Sequence, residues 1–351
     1  MKIEKKVISN LNKCYSMSRL TYKGQNCFLV GAEKQDPCYL FAEDGTQLET
    51  VWEQPGGVMT MVPVPGTEGK FLATHKFYSP NDGANAKIVI AESGEEGWTV
   101  RTLVDAPFVH RFGVLSRNGV NYLIVCCLKT GHEYKNDWRA WGACYGAVLP
   151  EDLSAYNENN QLRLTPIKLD MLKNHGYSVW KHDGYETAIV ACEQGVFAFT
   201  PPAAIGENWE IKQLLSVPSS DAVLLDFDGD GQLELGSIAP FHGNSVVIYH
   251  LDEHGNYVPQ WKLPLPEKDT EMVHATWTCD LLGKPSWIVG WRKGTKDTVA
   301  ISWGEGDYVV DYIDRNTGCA NAMHFVNSQG QDVIVATNRE IDEVAMYTIT
   351  E

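Results

Sequence analysis

Short apolar stretches alternate with glycine-centred turns along the whole chain. The recurring unit is a strand, a tight turn ending in glycine, and a second strand rich in Ile, Val and Leu. The turn glycines are Gly24, Gly69, Gly119, Gly184, Gly231, Gly283 and Gly330, spaced 45, 50, 65, 47, 52 and 47 residues apart. Each precedes an apolar segment: NCFLVGA, KFLATH, NYLIVCC, ETAIVAC, LELGSIA, PSWIVGW and DVIVATN. Third strands follow in most units (CYLFAEDG, AKIVIAES, GVFAFTPP, SVVIYHLD, TVAISWGE, EVAMYTIT), and fourth strands read as WTVRTLV, LRLTPIKL, WEIKQLL, YVPQWKL and YVVDYID. Four strands in about 40–50 residues, seven times over, predict an all-β, seven-bladed β-propeller with four-stranded antiparallel blades.

The last unit ends at Thr350 without room for an outer strand, whereas KIEKKVIS at the N-terminus belongs to no unit. The N-terminal strand is therefore expected to join the last blade and close the ring, which removes exposed sheet edges. The expected blades are approximately 12–55, 56–105, 106–170, 171–216, 217–266, 267–316 and 317–351 with 1–11, in one domain spanning 1–351.

Composition supports sheets and narrows the partners. The 11 Trp, 15 Tyr and 11 Phe suit pleated surfaces, and 31 Gly and 16 Pro supply turns. A net charge of −16 argues against a nucleic-acid partner, since phosphate backbones demand a basic face. Apolar runs such as Tyr122–Leu128 are too short to span a membrane. A charged start and nine cysteines without framework spacing predict reduced thiols and a cytoplasmic location.

The fifth turn is chemically distinct. Asp226-Phe-Asp228-Gly-Asp230-Gly-Gln232-Leu-Glu234 packs four carboxylates around two glycines. This segment resembles the DxDGDGxxE turn of the FG-GAP/VCBS-repeat propellers. The resemblance implies a structural Ca²⁺ held by Asp226, Asp228, Asp230 and Glu234, with Gln232 contributing a backbone carbonyl; a hard cation wants several oxygens from one short loop. The other six turns keep the glycine and lose most of the carboxylates.

Two registers place polar chemistry on the opposite face. Nine residues before the turn glycines stand Tyr15, Thr60, His110, His175, Ala222, His274 and Asn321. One histidine at such a position is most often structural; three in one register point to function. The loops after the second strands add Glu33, His75, Lys76, Tyr78, His132, His242, Asn244, Trp291, Arg292, Asn338, Arg339 and Glu340. The 65-residue gap holds HEYKNDWRAWGACY, whose Trp138 is expected to arch over the funnel and stack on a sugar ring.

This set suits proton abstraction from a small anionic saccharide. Gly-rich phosphate loops, a nucleophile elbow and Cys-x-x-Cys pairs are missing from the sequence. The expected reaction is β-elimination on a uronic-acid-containing oligosaccharide or keto-sugar. His110, His175 or His274 would serve as base, Tyr78 or a second histidine as proton donor, and Arg292 and Arg339 would neutralise the carboxylate. The repeat is similar to that of the rhamnose–glucuronate lyases, which are polysaccharide lyases, and of the aldos-2-ulose dehydratases. His75, Lys76, His132, His242, Asn244, Trp291, Asn338 and Trp138 complete the expected substrate contacts. His110, His175 and His274 are also a candidate Zn²⁺ or Mn²⁺ set. A non-catalytic binding platform and a sugar isomerase or epimerase are the alternatives.

Overall fold

A computed structural model describes all residues, 1–351. Seven four-stranded antiparallel sheets stand radially around one axis, each strand but the N-terminal one pairing with a neighbour in sequence. The innermost strands are Cys14–Tyr22, Met61–Pro63, Val109–Arg117, Gly176–Lys181, Asp221–Leu225, Val273–Leu281 and Asn321–Val326. The architecture is the seven-bladed propeller that the spacing predicts.

The repeat glycines sit where backbone geometry requires them. All seven lie in the turn between a blade's first and second strands, at φ between +59° and +87°. That left-handed region costs a side-chain-bearing residue but not glycine. The turn is therefore the most readable mark of each blade.

Ring closure follows the sequence reading. Lys2–Asn10 pairs antiparallel with Glu343–Thr350, from Lys2 opposite Thr350 to Asn10 opposite Glu343, and becomes the outer strand of blade seven. Lys5 clips the junction through ion pairs at 2.8 Å to Asp314 and Glu343.

The core is a set of layers between adjacent blades rather than one central mass. Leu115, Ile124, Cys126, Val190 and Phe199 bridge blades three and four, and Val223, Ile238, Trp287 and Trp291 bridge five and six. The layers are tight: a Cβ at Gly113 would lie 1.8 Å from the Tyr177 hydroxyl of the next blade. Polar and apolar side chains meet at the axis. No helix is long and apolar enough to cross a membrane.

Candidate active site

The inner strands bring matching registers together at the axis, beside a cavity of about 140 Å³. Tyr15, His110, His175 and His274 line it, each at most 4% exposed. Arg292, Glu33 and His242 enter from the loops after the second strands, and Met59, Phe77, Leu128, Phe241 and Met272 supply apolar wall.

The register histidines are built into the ring through one nitrogen each. His110 Nδ1 donates to the His175 carbonyl of the next blade (3.3 Å), and His274 Nδ1 donates to Ala320 O (2.9 Å). His175 Nδ1 faces Ser220 O at 3.2 Å and the buried Asp221 carboxylate at 3.0 Å. Thr60 Oγ1 and Asn321 Nδ2 make the equivalent bond to His110 O and Tyr15 O. Five of the seven blades thus reach forward to backbone of the next from the same position. A carbonyl can only accept, so each Nδ1 donates and the Nε2 edge of each ring is turned toward the cavity.

Those edges converge. The rings of His110 and His175 stack at 4.3 Å, and the His175 and His274 rings meet at 5.2 Å. His242 Nε2 is 3.3 Å from His175 Nε2. The Tyr15 hydroxyl lies 2.9 Å from His274 Nε2 and 3.4 Å from His110 Nε2. Burial holds His110, His242 and His274 well below the ordinary imidazole value, reinforced by neighbouring histidines and by Arg111 and Arg292. Burial also pushes Tyr15 up to about 12. His110, His242 and His274 therefore stand neutral beside a protonated phenol.

Charge is concentrated at one side. Arg292 Nε donates to Glu340 (2.8 Å), which also accepts from Arg339 Nη1 at 2.9 Å; Arg339 is further bonded to Glu33. Arg292 keeps its two terminal nitrogens for the cavity it lines. Arg111 spans Met59 O and Asn321 Oδ1 (2.6 and 3.4 Å) beneath the Tyr15 ring.

Several expected contacts lie elsewhere. His75, Trp291 and Asn338 each end a second strand, and all three are buried between blades rather than at the axis. His75 packs edge-on against Trp52 at 4.6 Å; Trp291 donates to Thr295; Asn338 donates to Glu343 and the Tyr347 hydroxyl. The strand alternation explains this, because the next residue turns the other way, as Glu33 and Arg292 do. Tyr78 bonds Gln35 on the rim, and its neighbour Phe77 fills the wall instead. Lys76 is exposed, and Asn244 bonds the exposed Glu267. His132 packs on Phe108 at 5.2 Å, away from the cavity. Trp138 covers Phe241 edge-on at 5.8 Å and carries Lys129 Nζ on its face at 4.4 Å, so it braces the wall from outside instead of facing the cavity. Arg339 acts on Arg292 through Glu340.

Tyr15, Asp221 and Arg111 carry more of the site than their sequence context suggested. Tyr15 shares the register of the histidines, and Arg111 and Asp221 flank register residues, which is the signal that marks them. His242 had no such signal beyond its loop.

At the other face, the Asp226–Glu234 turn folds tightly on itself. Asp226 accepts from Gly229 N (2.8 Å) and Gly231 N (3.0 Å), and Glu234 accepts from Phe227 N at 2.7 Å. Carboxylate oxygens of Asp226, Asp228 and Asp230 lie within 4.8 Å of one another, as do ligand atoms of Asp228, Glu234 and His250. Burial, together with Asp228, Asp226 and Asp230, raises Glu234 to about 7.

No protein-family model and no curated relative matches the chain in sequence. Solved propellers match it in fold. Virginiamycin B lyase from Staphylococcus aureus superposes with a TM-score of 0.59 at 13% identity, covering 99% of both chains. A streptogramin B lyase gives 0.57 at 11% identity over 99% of this chain and 98% of its own. The Dos1 propeller gives 0.55 at 7% identity over 92% and 75%. At these identities the likeness is one of fold.

Proposed function

We propose that the chain is a propeller enzyme, a carbon–oxygen lyase acting on a small anionic substrate at the axis. The observation that carries this reading is the buried Tyr15–His110–His274 contact beside Arg292. Arg292 grips a carboxylate with its unengaged terminal nitrogens. His110 Nε2 takes the proton from the carbon next to that carboxylate; the C–H electrons form the new double bond as the C–O bond breaks. Tyr15 gives its proton to the departing oxygen, and the proton held on His110 returns to Tyr15 across the 3.4 Å contact. Before the transfer the Tyr15 hydroxyl is positioned between His274 and His110.

His110 is a weak base in the empty cavity, because burial disfavours its charged form. An anion on Arg292 offsets that penalty and raises its basicity, so base strength is coupled to substrate arrival. Two similar propellers are named as lyases, which agrees with this class of reaction.

The substrate class proposed first is a uronate or keto-sugar. A cavity of about 140 Å³ favours the reacting sugar unit over an oligosaccharide buried whole. The test is a screen of free and oligomeric glucuronates, galacturonates and keto-sugars, read by absorbance of the new conjugated double bond and by mass. A new absorbance supports elimination; an isomeric product of equal mass without it assigns an isomerase or epimerase. Saturable binding without turnover across the set assigns a binding platform.

We further propose that the Asp226–Glu234 turn holds Ca²⁺, in keeping with its resemblance to FG-GAP/VCBS repeats. Three clustered aspartates and a carboxyl raised to about 7 by them and by burial make a site whose repulsion a divalent cation would relieve. A cytoplasmic location agrees with nine free cysteines.

A further inference from the structure

Three histidines of this cavity share a geometry that base catalysis does not require. His175 and His274 come from the inner strands of blades four and six, and His242 reaches in from the loop of blade five between them. One ring nitrogen from each lies within 4.8 Å of the other two. The sequence suggests His110 as the third member; in the structure His242 takes that place in the converging set.

We infer that His175, His242 and His274 bind one divalent transition metal, Zn²⁺ first, with the fourth position open to the cavity. The spacing agrees with this: Zn–N bonds of about 2.0–2.1 Å in a tetrahedron put ligand nitrogens about 3.3–3.4 Å apart. His175 and His242 Nε2 stand 3.3 Å apart. The outer contacts agree too. Metal-bound imidazoles characteristically donate their second nitrogen to a carboxylate or carbonyl, and His175 does so to Asp221 and Ser220 O, His274 to Ala320 O. Asp221 also places a buried carboxylate behind the ligand set, and Glu340 pairs with Arg292, the cation that lines the cavity.

His242 is held in place at some cost. It stands in the Pro240–Gly243 turn at φ 51°, a conformation uncommon for a residue with a side chain, and its ring stacks on Phe241 at 4.0 Å. Its amide donates to Ser220 Oγ, which also bonds Asp221. The strained turn and the second-layer network thus meet at the same three rings. Metal on His274 Nε2 leaves His110 Nε2 as the acceptor for Tyr15, so the acid–base pair proposed above persists beside the ion.

This inference rests on the same cavity as the lyase reading but is tested without a substrate. Chelator-treated protein is titrated with Co²⁺ and followed by visible absorption and by metal content after desalting. One ion per chain with the strong absorption of a low-symmetry nitrogen site is expected, and Zn²⁺ displaces it. His242→Ala, on a loop, should weaken binding at least about 100-fold while His110→Ala keeps it; Asp221→Asn, a positioning change, should weaken it about 10–100-fold. Thermal melts in chelator confirm that each variant is folded, and Asp228→Asn is carried through to subtract binding at the carboxylate turn. Absence of a strong cobalt spectrum in the parent protein overturns the inference and leaves a His242–His175 hydrogen bond in its place. So does a spectrum that survives His242→Ala.

Discussion

Neutral buried histidines make stability depend on pH with a definite sign. His75 is pushed down to about 3 by burial and by Lys76, and His110, His242 and His274 are also depressed. The unfolded chain binds protons at these positions near pH 6.5, while the folded chain refuses them until much lower. Stability is therefore full above about 6.5 and falls as pH drops below it, by up to about 1.4 kcal/mol per pH unit for each such group. Unfolding midpoints in denaturant between pH 7.5 and 5 should show that decline. His75→Leu, which removes one titrating ring without touching the axis, should flatten it by roughly one group's share. A Tyr15→Phe change belongs to the same scale: it removes one oxygen, keeps the packing, and should cut turnover about 100-fold or more with little change in melting. A KM increase with unchanged kcat would instead make Tyr15 a binding group.

The blade is the element that the sequence announces, and its parts were unequally readable. Turn glycines were legible because backbone geometry leaves few substitutes at φ near +75°. The shared inner-strand register was legible because the strand period carries it from blade to blade, and it placed His110, His175 and His274 correctly at one cavity. The ends of second strands were not. His75, Trp291 and Asn338 look polar or aromatic enough for a binding rim, yet alternation sends them between blades; after Trp291 it brings Arg292 to the axis, whereas Lys76 and Arg339 stay outside the cavity. His242 was harder still, since its aim comes from one unrepeated turn.

The calcium proposal is also a statement about one element. Glu234, raised to about 7, is protonated in the folded state where the unfolded chain has released its proton, so its contribution to stability is lost as pH rises from about 4.5 through 7. Calcium bound at the turn replaces that proton. The thermal shift produced by Ca²⁺ should therefore be larger at pH 8 than at pH 5.5, and Asp228→Asn should remove most of it at both. Equal shifts at the two pH values would place the ion elsewhere.

At the scale of the whole molecule, the site depends on the inner strands and the closure depends on the outer one. Lys2–Asn10 is mostly exposed and buries little apolar surface, so its contribution is a ladder of backbone bonds and the Lys5 ion pairs. Its removal opens Glu343–Thr350 as an unpaired edge, and such an edge recruits strands from other chains. The register side chains that hold the cavity lie three strands further in, and Asn321 still reaches Tyr15 O without the outer strand. A chain lacking residues 1–10 should thus melt lower and self-associate with concentration, as read by light scattering, while its monomer at low temperature keeps the metal titration of the parent. Loss of that titration in a folded monomer would mean that the axis is tensioned by closure itself, and that the ring, rather than its seven inner strands, is the unit that positions the histidines.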